Sequence, residues 1–87
     1  MKLKSGVILT EMDDKVVVVD ASSGTDRFSG MLRLNRTAGF VAKLLEKDME
    51  MDDVVKAMTE KYDVAEGVAR ENAQKVIDSL RDAGLLQ

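Results

Sequence analysis

The chain contains no histidine and no cysteine, which removes the commonest general base and every nucleophile or ligand that depends on a thiolate. Disulfides, thiolate zinc sites and iron–sulfur sites are excluded with them, and the redox compartment stays open. Proline is also absent, so no residue breaks a helix from within. The aromatics are Phe28, Phe40 and Tyr62 alone; the core must therefore be aliphatic, and an aromatic cage for a cationic ligand is out of reach. The apolar run Gly6-Val7-Ile8-Leu9 stops at Thr10 and Glu11, too short for a signal-peptide core or a membrane span. The expectation is a cytoplasmic protein that does not enter a membrane.

What is present is a folding composition. Hydrophobic residues make up 45% and charged residues 33% of 87 residues, too apolar for disorder throughout and too short for two separate cores. A single domain over residues 1–87 is expected. The net charge of −3 is unevenly spread: residues 1–43 carry seven Lys/Arg against five Asp/Glu, and residues 44–87 carry six against eleven. An acidic second half argues against nucleic-acid binding, which relies on neutralising phosphates.

The first third has strand character. Residues 7–11 and the β-branched run of residues 15–20 flank the turn chemistry of Met12-Asp13-Asp14, which predicts a hairpin. A third strand is expected over residues 31–34. Three helices follow. Asn35 is the N-cap candidate for the first, which runs to about Glu46; the second spans residues 51–61 with Met51, Val54, Val55 and Met58 on one stripe. The third spans residues 66–83, with Ala69, Asn72, Ala73, Val76, Leu80 and Ala83 on the core side and Arg70, Gln74, Ile77 and Arg81 along one flank. Gly84 fits the left-handed residue that ends many helices. Three N-terminal strands followed by three helices make an α+β domain resembling a winged helix-turn-helix with its strands placed first.

No catalytic residue is proposed. Asp13-Asp14 lacks the ligand number of a calcium or magnesium site, and a turn accounts for both. Ser22-Ser23-Gly24-Thr25 has neither the spacing nor the lysine of a phosphate-binding loop. The acids of residues 48–53 suit a helix start, where carboxylates complement the dipole. Lys15, Lys43 and Lys56 have no sequence neighbour that would desolvate an amine. Neither a metal nor a cofactor is expected.

From Leu34 to the C-terminal end the chain resembles the PqqD-like family of precursor-peptide recognition elements. The resemblance lies in Leu34-Asn35-Arg36-Thr37-Ala38, Val41, Leu44-Leu45, Asp52-Asp53-Val54-Val55, Tyr62-Asp63-Val64, Leu80 and Gly84-Leu85-Leu86. It departs from the family pattern at Ala42, where a large aromatic is usual, and at Glu50, where Thr or Ser is the usual cap.

The resemblance implies a non-catalytic domain. Such a domain binds the leader segment of a ribosomally made precursor peptide and presents it to a radical S-adenosylmethionine enzyme or another peptide-modifying enzyme. Family binding is β-augmentation: the leader adds a strand to the third strand and lies against the third helix. An open edge supplies unpaired backbone groups for affinity, and flanking side chains supply selectivity. Carried onto this chain, the edge is Gly30, Met31, Leu32, Arg33 and Leu34, and the opposing wall is Arg70, Ala73, Gln74, Ile77 and Arg81. The arginines would suit an acidic and apolar leader; equally, they could pair with Glu71, Asp78 or Asp82 on the same surface. Two readings compete. A DNA-binding winged helix is disfavoured by a last helix with three basic residues against four acidic ones. A docking subunit of a larger enzyme would bind no leader. A homodimer through strand edges is left open.

Overall fold

The computed structural model describes residues 1–21 and 31–87. In chain order it has strands β1 (Val7–Met12), β2 (Lys15–Asp20) and β3 (Met31–Asn35), then helices α1 (Arg36–Leu44), α2 (Met51–Lys61) and α3 (Glu66–Asp82). The architecture is α+β, as the order of sequence patterns predicts. The sheet is antiparallel in the order β1-β2-β3, with Leu9 opposite Val18 and Val18 opposite Leu32.

Period-two alternation decides which sheet face meets the helices. Val16, Val18 and Leu34 are buried, while Ile8 and Met31 on the other face are exposed. The hairpin turns at Asp13, whose φ of 49° lies in the left-handed region that Asp tolerates better than most residues. Arg36 locks that turn to the start of α1 by donating to the Asp13 carbonyl from Nε at 3.2 Å and from Nη2 at 2.6 Å.

Helix ends follow their caps. The Asn35 side chain accepts from the Ala38 N–H at 2.8 Å, a contact that typically contributes about 1 kcal/mol. At α2 the missing Thr or Ser is offset from the third helical position, where the Asp53 carboxylate accepts from the Glu50 N–H at 3.4 Å. α3 closes in a Schellman motif: Gly84 at φ 74° donates to the Arg81 carbonyl, and Leu85 donates to the Leu80 carbonyl. α1 stops at Leu44 rather than Glu46. The Leu45 carbonyl is taken by the Leu3 N–H at 2.8 Å, a contact from the far end of the chain.

The core gathers Leu3, Val18, Val41, Leu45, Val54, Met58, Ala69, Ala73, Ile77, Leu80 and Leu85, each almost wholly buried. It is aliphatic, in line with the scarcity of rings, and each fully buried Leu, Ile or Met contributes roughly 1.5–3 kcal/mol relative to exposure. Gly39 brings α1 onto β2 so closely that a Cβ there would collide with the Val16 side chain. Ala42 is fully buried; the ring nearby is Phe40, which meets Tyr62 edge-on with centroids 5.6 Å apart. No described helix is long and apolar enough to cross a membrane.

Candidate peptide-binding groove between β3 and α3

Among the described residues β3 is hydrogen-bonded to β2 alone, so its second edge carries unpaired backbone groups. That edge faces an open cleft of about 450 Å³. Arg33, Leu34 and Asn35 form one wall, and Asn72, Lys75, Val76 and Ser79 of α3 form the other. Ala38, Val41 and Met58 lie between them. The helical wall follows from periodicity: positions 72, 75, 76 and 79 are spaced by three and four, so they share one face of α3.

Of the strand residues expected at the site, Arg33 and Leu34 line the cleft, whereas Met31 and Leu32 do not. Leu34 is buried, Leu32 is half-buried, and Met31 and Arg33 are exposed on the opposite face, as alternation requires. Gly30 lies outside the described residues. The helical half differs. Ala73 and Ile77 are fully buried and present no surface to a ligand. Arg70 turns toward α2, where its Nη2 meets Asp52 Oδ1 at 2.8 Å, with Glu66 at 3.6 Å; the Asp52 hydrogen bond raises its pKa further above the ordinary arginine value. Gln74 donates to Asp78 at 2.9 Å, and Arg81 lies 3.6 Å from the same carboxylate. The structure therefore does not bring Arg70, Ala73, Gln74, Ile77 or Arg81 to β3.

The reason is a rotation of the buried stripe. It comprises Ala69, Ala73, Val76, Ile77 and Leu80, so Ile77 joins the core and Asn72 leaves it. An aliphatic side chain gains by burial, whereas an amide pays for lost hydrogen bonds to water. α2 then packs on the arginine flank, and the opposite flank faces β3. Asn72, Lys75 and Ser79 were absent from the sequence-based wall; exposed polar residues at three- and four-residue spacing beside the core stripe were the available signal.

The groove's electrostatics are mild. Lys75 has a loose i,i+4 partner, Glu71 Oε1 at 3.7 Å, and 72% of its side chain is exposed. Arg33 has no ion pair among the described residues. No described side-chain polar atom is buried without a partner. The acids of residues 48–53 are engaged individually rather than gathered: Asp48 binds the Met1 amine at 2.9 Å, which holds its carboxyl below the usual value, Asp52 binds Arg70, and Asp53 serves the α2 cap. Among the described residues no three potential metal ligands cluster.

The family model described as coenzyme PQQ synthesis protein D (PqqD) matches residues 15–86. Among solved structures, TbiB1 in complex with the TbiA(beta) leader peptide is similar with a TM-score of 0.76 and 23% identity, over 100% of this chain and 95% of that one. A lasso peptide synthetase B1 complexed with the leader peptide is similar with a TM-score of 0.70 and 24% identity, over 97% and 93%. At that identity the likeness shows a shared fold. No curated protein matches with significance.

Proposed function

The chain belongs to the PqqD family, and from that premise we propose that it is a non-catalytic recognition domain for the leader segment of a ribosomally made precursor peptide. The observation that carries this reading is the free β3 edge facing an exposed helical flank across the cleft. A leader laid in that cleft extends the sheet by one strand, and its backbone satisfies N–H and C=O groups that β3 leaves unpaired. Both similar structures are complexes with leader peptides, which supports the same ligand class here.

Selectivity rests on the walls. The apolar ground of Ala38, Val41, Met58 and Val76 takes an aliphatic or aromatic leader side chain. Lys75 favours a carboxylate beside it, Arg33 favours one on the outward face of the added strand, and Asn72 and Ser79 offer hydrogen bonds. The bound leader is held for a partner that modifies the core peptide, a radical S-adenosylmethionine enzyme or another peptide-modifying enzyme. In this reading the chemistry belongs to that partner, and this chain, which has neither His nor Cys, does the holding.

The test is a titration of the protein with a labelled leader from a precursor encoded beside a peptide-modifying enzyme, read by fluorescence anisotropy. Saturable binding with amide shifts along β3 and the Asn72–Lys75–Ser79 face is the expected result. Leader binding unaffected by Lys75→Glu and Arg33→Glu together would overturn the assignment of the site. Tight, salt-sensitive binding of duplex DNA with no leader binding would overturn the function.

A further inference from the structure

On the opposite side of α1 lies a second cleft, of about 740 Å³. α1 is the partition: it turns Ala38 and Val41 toward the β3–α3 groove, and Arg36, Gly39, Phe40, Lys43 and Leu44 toward this cleft. Four cationic side chains line it, Lys15, Arg36, Lys43 and Lys61, against two acids, Glu11 and Asp13. Arg36 is committed to the Asp13 carbonyl. Among the described residues no carboxylate lies within ion-pair distance of Lys15, Lys43 or Lys61. In a chain of net charge −3, three such lysines around one hollow form a local field opposite in sign to the whole. The base is apolar: Val16, Leu44, Phe40 and Tyr62, with Lys61 Nζ 5.3 Å from the Phe40 ring centroid and 5.9 Å from that of Tyr62.

We propose that this cleft docks an acidic segment of a second protein, one that seats an apolar side chain on the Phe40–Tyr62 ground and sets carboxylates against Lys15, Lys43 and Lys61. Charge complementarity selects the occupant. Glu11 and Asp13 at the rim repel a continuous phosphate backbone, while a peptide can place its carboxylates at the lysines and spare that corner. The half-buried rings are matched by an apolar anchor rather than by a sugar-phosphate chain. Because α1 separates the two clefts, a leader and a docked partner can be held together.

The experiment uses a fluorescein-labelled synthetic peptide of glutamates surrounding a single leucine, titrated into the full chain at physiological salt with anisotropy and amide-shift readouts. Expected are shifts at Lys15, Lys43, Leu44, Lys61 and Tyr62 that persist in an Arg33→Glu/Lys75→Glu background, and a loss of affinity of at least about tenfold when Lys43→Glu/Lys61→Glu is added. Lys56→Glu, which lines neither cleft, should leave this affinity unchanged within about twofold. If the double reversal disturbs folding, Lys43→Gln/Lys61→Gln is read instead, with the same direction expected. The proposal is overturned by no measurable binding, by shifts scattered over all lysines, by an equal loss with Lys56→Glu, or by duplex DNA displacing the peptide. Leader titration of the double variant keeps the two sites apart: retained leader binding isolates a result here from the fate of the groove.

Discussion

On one flank of α3, Arg70 reaches to Asp52 on α2 and Gln74 and Arg81 share Asp78; on the other, Asn72, Lys75 and Ser79 line an open cleft beside β3. Both flanks are polar and both border the same buried stripe. What separates them is the neighbour: on the first, Arg70 is tied to Asp52 of α2 while Gln74 and Arg81 pair within α3, and on the second the side chains border the cleft beside β3. A cation already paired across a helix contact is a poor recruiter of ligand, because a new partner must displace the old one. Lys75, held loosely by Glu71, is the better recruiter.

The sharpest way to break this comparison is Ile77→Asp. If Ile77 bordered a peptide site, the variant would fold and lose only leader affinity. Because Ile77 is fully buried, the expected result is loss of the fold, at least about 4 kcal/mol, against a total stability near 5–15 kcal/mol for small domains. Far-UV circular dichroism during a thermal melt reads the difference directly. Charge reversal on the open flank comes next: Lys75→Glu and Arg33→Glu should each weaken binding of an acidic leader about tenfold, near 1.4 kcal/mol, with the melting temperature held.

A smaller effect is expected at Asn35, where β3 becomes α1 at the mouth of the groove. Asn35→Ala deletes the cap and should cost about 1 kcal/mol of stability in a denaturant titration, with amide shifts concentrated at the start of α1. The smallest belongs to the arginine flank. Arg70→Ala severs exposed ion pairs, so leader affinity should change by less than about twofold; a loss as large as that of Lys75→Glu would mean that the arginine flank, not the open one, meets the peptide.

Much of the fold was legible because local signals agreed with one another. The β-branched run gave β2 its bounds of Lys15–Asp20, and the Met51-Val54-Val55-Met58 stripe matched α2 at Met51–Lys61. Asn35 and Gly84 did at the helix ends what their chemistry predicts. What escaped was set by distant partners. Leu3 is a core residue whose segment has no strand pattern of its own, and its N–H meets the Leu45 carbonyl just past the end of α1. The wall of the groove escaped for a related reason. Helical periodicity separates a buried stripe from two flanks, but which flank faces the sheet depends on where α2 lands. The edge of β3 needed only strand order and was readable; the helical wall needed the tertiary arrangement.

The bridge between Leu3 and Leu86, reinforced by the Gln87 N–H donating to the Lys2 carbonyl at 2.9 Å, sets Lys2 and Leu3 beside Leu86 and Gln87, with β3 and the cleft lining contributed by other segments. Such adjacency suits transplantation: spliced through short linkers into a surface loop of an unrelated host, the unit would span little more than the gap it interrupts. The recognition edge could thus be carried as a cassette, its strand presented outward while both seams remain at the junction.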